Sequence, residues 1–69
     1  MKAGRCRVGD RFWIDDERTG RVAVELLTPW QWGLVHGHAF AEVLRLDNDK
    51  RTTLHTKLDA DLEPYEEGS

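Results

Sequence analysis

Three stretches of this chain alternate apolar and polar residues at every second position. In RFWI, Phe12 and Ile14 share one side with Trp13 opposite; in GRVAVELLT, Val22, Val24 and Leu26 alternate with Ala23, Glu25 and Leu27; in TTLHTKL, Leu54, Thr56 and Leu58 alternate with Thr53, His55 and Lys57. Successive strand side chains point to opposite faces, so a period of two marks a half-buried strand, and it fits these runs far better than 3.6 does. Turn chemistry falls between them. VGD precedes the first strand, DDERTG separates the first from the second, and DNDK separates the third from the fourth; Asp, Asn and Gly tolerate the positive φ and local side-chain bonds that turns demand. Strands recurring at this spacing predict a small antiparallel sheet or barrel.

The third strand, over residues 34–46, is less plainly written, because HAFAEVLRL also scores as one or two helical turns through Ala39, Phe40, Val43 and Leu44. Pairing decides for a strand. If Asp47 faces Arg51 across a three-residue loop, Leu46 meets Thr52, Leu44 meets Leu54 and Phe40 meets Leu58, which gathers the large apolar residues on one face. A slip by one would set Leu44 and Phe40 opposite Thr53 and Lys57. This register points Glu42 inward, at a barrel end or a bulge. After Leu58, Leu62 four positions on can close over the barrel end as one helical or 3₁₀ turn, Pro64 stops it, and Tyr65 begins a short last strand.

Four main strands, a single 3₁₀ turn and a short fifth strand, in that order, resemble the SH3-like small β-barrel. The resemblance covers residues 8–66 and rests on element order and length; it implies an all-β, five-stranded antiparallel barrel with the 3₁₀ turn before the last strand. The chain has no aromatic dipeptide signature or paired-proline chemistry of a proline-motif binder, so the likeness supplies architecture and not function. The implied organisation is a flexible basic arm at 1–7, one barrel domain at 8–66 and a disordered tail at 67–69.

At 69 residues a domain buries only about 60% of its unfolded surface, and its core supplies on the order of 3 to 5 kcal/mol of net stability unless a disulfide, metal or partner helps. Cys6 stands alone, which removes an internal disulfide and the usual cysteine-based zinc modules. With no apolar run of membrane-spanning length and no signal-peptide core, the chain is expected to be soluble and cytoplasmic. Its net charge is −3, but the ends differ: Lys2, Arg5, Arg7 and Arg11 make the start basic, and Asp59, Asp61, Glu63, Glu66 and Glu67 make the end acidic. That pattern suits attraction between the termini and opposes a domain-wide field for nucleic acid.

Candidate chemistry is sparse. His36 and His38 lie two apart with His55 on the neighbouring strand, but the register does not converge them without a bulge at Gly37, so no metal site is expected. DND at 47–49 and DADLE at 59–63 lack the glycine bend and bidentate acid of a calcium loop. There is no Gly-rich phosphate loop, and no serine besides Ser69. Cys6 reads as an inert or buried thiol before it reads as a nucleophile. No catalytic residue and no cofactor are assigned.

The remaining feature is TPWQWG, residues 28–33, which sets Trp30 and Trp32 two apart in a loop, between Pro29 and Gly33. Trp13 points away from the core, so something should cover it; one loop indole can fold over Trp13, or plug an open barrel end, while the other stays accessible. An aromatic side chain buries roughly 150 to 250 Å², a large share in so small a domain. The expected function is a non-enzymatic protein-interaction or self-associating module, using an aromatic patch of Trp13, Leu27, Trp30 and Trp32 with Arg11 and Arg21 beside it. The alternative is a small nucleic-acid-binding barrel in which Lys2, Arg5, Arg7 and Arg11 contact phosphates and Trp13 stacks on a base. A third possibility, an enzyme site formed only between subunits, has no residue pattern to specify its reaction.

Overall fold

Strands β1 (Arg11–Asp16) and β2 (Gly20–Leu26) form the hairpin that the alternation predicts, with Phe12 opposite Val24 and Ile14 opposite Val22. Their inward residues make the core: Phe12, Val22, Val24 and Leu26 are buried, with Ile14 packed against them. The computed structural model describes residues 2–18, 20–33 and 36–66. Beyond the hairpin it contains β3 (Gln31–Trp32), β4 (His38–Arg45), β5 (Arg51–Lys57) and β6 (Glu63–Pro64). All pairings are antiparallel. The expected strand start at Leu34 and Val35 and the expected tail at 67–69 lie outside the described residues.

β4 is the hub. One side pairs along its length with β5; the other pairs with β2 at Val43–Arg45 and with β3 at Ala39–Phe40. β2 and β3 therefore follow one another along the same edge of β4, interrupted at residues 27–30. Leu27 N–H still donates to the Glu42 carbonyl at 2.9 Å, and Glu42 N–H donates to Thr28 Oγ1 at 3.1 Å. Pro29 has no N–H to continue the ladder. The break inside TPWQWG is thus a bent strand held together by a threonine side chain.

The fold is all-β, but it is not the closed five-stranded barrel that was expected. Among the described residues there are six strands in an open sheet: β5 pairs only with β4, and β6 pairs only with Phe12 and Trp13 of β1. β6 is two residues long and half of it is proline, so it cannot extend along β1 to close the seam. The 3₁₀ turn is also elsewhere. It occupies Ala3–Arg5, while Leu58–Asp59 is a plain turn closed by Ala60 N–H donating to the Lys57 carbonyl.

The register of β4 on β5 differs from expectation by three positions: Leu44 faces Arg51, Ala41 faces Leu54 and Phe40 faces His55. An odd shift exchanges the faces. Ala39, Ala41 and Val43 are buried, whereas Phe40 and Leu44 are half-buried on the outer wall and Glu42 is exposed. The cause is the loop. Asp49 takes a left-handed conformation (φ 56°), its N–H donates to the Arg45 carbonyl, and Arg45 N–H donates to the Lys50 carbonyl, so the hairpin closes before Leu46. Leu46 N–H bonds instead to Ala23 of β2.

The segment read as a basic arm is anchored. Ala3 N–H donates to the Ala60 carbonyl and Gly4 N–H to the Leu58 carbonyl, both at 2.9 Å; Ala3 is fully buried and Cys6 joins the core. Glycine eases this approach, because a Cβ at Gly4 would lie 3.2 Å from the Leu58 carbonyl oxygen, closer than an ordinary contact.

Arg45 covers the end of the core nearest the β4–β5 loop. Its guanidinium donates to Asp16 Oδ2 at 2.9 Å and to both carboxylate oxygens of Asp47, at 3.1 and 2.9 Å. Hydrogen bonding from Arg45 holds the Asp47 carboxyl below its ordinary value and raises Arg45 itself. A carboxyl depressed in the folded state contributes stability above the unfolded value and loses it as pH falls through the folded one. Thermal stability should therefore decline on acidification below about pH 4. In Arg45→Gln that part of the acid dependence should be missing, with melting already lower at neutral pH. Parallel acid profiles for the two proteins would place the dependence in other carboxylates.

Candidate functional site

Trp13 stands on the outer wall of the β1–β2 hairpin, and its cross-strand neighbour Ala23 is too small to cover it. Its partners come from two other places. The Arg21 guanidinium carbon lies 5.0 Å from the indole centroid, a cation–π contact. The Tyr65 ring meets the indole edge-on, with centroids 5.2 Å apart and planes at 76°. Tyr65 is positioned by its N–H, which donates to the Arg11 carbonyl at 3.0 Å, and Arg21 by an ion pair to Glu63 of β6. On the same wall Arg11 Nε donates to Glu25 Oε1 at 2.9 Å.

Two clefts flank this indole. One, of about 250 Å³, lies on the wall between Trp13, Ala23, Leu46, Asp47 and Tyr65. The other, of about 310 Å³, opens where the sheet fails to close: Ile14, Leu54 and Leu62 line its apolar part, and Trp13, Arg21 and Glu63 its rim. The open seam therefore exposes part of the core next to the aromatic wall.

The residues expected to form one patch are divided. Trp13, Arg11 and Arg21 share the wall. Trp30 is drawn inward and packs against the core, with its indole N–H buried and lacking an acceptor among the described residues. Trp32 pairs with Ala39, on the core side of the sheet, yet 76% of its surface is exposed. Leu27 sits half-buried at the bend. One loop indole is thus inside and one outside, while the ring and the cation found on Trp13 are Tyr65 and Arg21. Tyr65 and Glu63 were not singled out from the sequence. The available signal was Glu63–Pro64–Tyr65: a proline ends the last strand and leaves an aromatic beside the first.

Among the residues of the nucleic-acid alternative, Lys2 Nζ lies 3.1 Å from Asp61 and Arg11 is paired with Glu25. Arg5 and Arg7 are exposed at the anchored N-terminal segment. Cys6 is buried, and burial first, then the Asp10 carboxylate, push its thiol up; such an environment favours a packing thiol over a thiolate nucleophile. His38 and His55 lie on the outer wall, His38 two residues before Phe40 on β4 and His55 across from it on β5, and the His55 ring stacks at a tilt on Phe40, 5.7 Å between centroids. Among the described residues no group of three His, Cys, Asp or Glu is placed to hold a metal ion, and no helix is long and apolar enough to cross a membrane. No family model matches the chain, and neither a curated protein nor a solved structure does.

Proposed function

We propose that this chain is a non-enzymatic protein-interaction module and that its binding surface is the Trp13–Arg21–Tyr65 wall with the two clefts beside it. The observation that carries the proposal is the concentration of one Trp, one Tyr and one Arg in mutual contact on a surface flanked by cavities. These three residue types dominate the energetics of protein interfaces, because they bring large area at low entropic cost and pair it with polar handles. Glu63, Glu25 and Asp47 provide a charged rim. Arg11 and Arg21, the basic residues beside Trp13, are already paired with carboxylates, which favours a protein partner over a polyanion at this part of the wall.

The test compares wild type with Arg21→Glu, a change at an exposed side chain that sets a carboxylate beside Glu63 and removes the cation from the indole. Proteins retained by immobilised wild type from nuclease-treated extract should bind Arg21→Glu at least tenfold more weakly, on the order of a hot-spot loss. Equal retention by both, with equal melting temperatures, would remove the wall as the binding surface. Light scattering on the isolated chain separates a foreign partner from a second copy.

A further inference from the structure

The outer edge of β5 points to a second binding mode, one that depends on backbone and charge and does not use Trp13. Two bonds fix which way the β5 backbone faces. Leu58 N–H donates to the Gly37 carbonyl and Arg45 N–H donates to the Lys50 carbonyl, so even-numbered residues from 50 to 58 form the hydrogen-bonded pairs with β4. In an antiparallel ladder the intervening residues point their groups the other way. Arg51, Thr53 and His55 therefore present both N–H and C=O to the open edge; Lys57 presents its N–H, its carbonyl being taken by Ala60. No strand among the described residues occupies that edge; the N-terminal 3₁₀ turn packs beside the end of β5 and Gly4 N–H donates to the Leu58 carbonyl.

The side chains specify what fits there. Residues 50–58 contain Lys50, Arg51 and Lys57 and no carboxylate. Lys2, Arg11, Arg21 and Arg45 each have an ion-pair partner; none is found for Lys50, Arg51 or Lys57 among the described residues. Arg51, Thr53, His55 and Lys57 lie on the outer wall, opposite Leu44, Glu42, Phe40 and His38, while Thr52, Leu54 and Thr56 face the core side beside the open seam. We infer that this edge receives an extended acidic segment of another protein as an added antiparallel or parallel strand, with carboxylates on the face of Arg51 and Lys57 and apolar side chains over Leu54 at the seam.

The same charges disfavour the other occupants. Two copies of β5 paired about a two-fold axis at Leu54 would set Arg51 opposite Lys57, and like charges directly opposite destabilise a strand pair. A nucleic-acid strand could answer the cations, but its phosphates supply acceptors only, leaving the outward carbonyls without donors.

The probe is a blocked peptide of alternating glutamate and valine, matched in length to β5, added to isotope-labelled protein and followed by amide exchange. Binding should slow exchange at Arg51, Thr53, His55 and Lys57, whose amides begin unbonded, and leave Thr52, Leu54 and Thr56 little changed. A lysine–valine peptide should give no protection. Thr53→Pro removes an outward N–H and no β4 bond, so it should weaken peptide binding about tenfold or more. If that variant fails to fold, Arg51→Glu combined with Lys57→Glu serves instead and should transfer the preference to the lysine–valine peptide. Tyr65→Ala, which removes a ring of the aromatic wall that does not line the seam cleft, should leave the exchange pattern intact, which keeps this site distinct from the aromatic wall. Three results would overturn the inference: no alternate-residue protection with the acidic peptide, the same protection from raised protein concentration alone, or shifts at Arg51 and Lys57 produced only by a single-stranded oligonucleotide.

Discussion

Phe12→Ala should abolish cooperative thermal unfolding at room temperature and above. The ring is fully buried, faces Val24 on β2 and Pro64 on β6, and so joins the hairpin to the short last strand as well as filling the core. Truncating a buried Phe costs about 3 to 5 kcal/mol through lost transfer and the cavity left behind. That matches the whole net stability, about 3 to 5 kcal/mol, of a domain this small without a disulfide or metal. Circular dichroism and a melting curve read the outcome. Trp32→Ala is the informative companion, because it removes a larger side chain that is 76% exposed; its effect should stay within about 0.5 kcal/mol. If Trp32→Ala were the more damaging change, the assignment of inside and outside would be wrong.

Such contrasts show where the sequence was readable. The β1–β2 hairpin was legible because Phe12, Ile14, Val22, Val24 and Leu26 are large, apolar and strictly alternating, so size and burial agree. β4 was not, because there size and burial disagree. Where β4 crosses the core its inner face is carried by Ala39, Ala41 and Val43, while the bulkier Phe40 and Leu44 stand outside against His55, Gln31 and Glu25. A rule that places the largest apolar residues inside selects the wrong parity on such a strand. The loop was the second cause: Asp49 adopts a conformation that Asp tolerates but does not announce.

The candidate site divides in the same way. Trp13 was legible as an outward indole from its parity with Phe12. Its cover was not, since Tyr65 and Glu63 reach it only because β6 returns beside β1, a contact across most of the chain. Likewise the open edge of β5 follows from the shortness of β6 and from Pro64, and no local pattern within TTLHTKL reveals that one side of the strand lacks a neighbour. Period-two alternation reports which face a side chain takes. It is silent on which strand, if any, lies alongside.

A pair of substitutions at adjacent positions tests the parity of β4 with opposite outcomes. Ala41 lies inside against Leu54, only 2% exposed, and Glu42 lies outside. Ala41→Glu would bring a carboxylate into the apolar core, at a cost on the order of 3 kcal/mol or more, enough to unfold most of the population. A buried carboxyl has its pKa raised, so this penalty applies above the ordinary carboxylate range and shrinks as pH falls; the variant should regain part of its folded signal under mild acid while wild type loses stability. Glu42→Ala should change stability by no more than about 0.5 kcal/mol, because the side chain leaves water neither before nor after the change. Were Glu42 the inward residue, Glu42→Ala would stabilise by removing a buried charge and Ala41→Glu would be nearly silent. Melting curves of the two variants at neutral and acid pH therefore decide the register, and with it which backbone groups of β5 face the open edge.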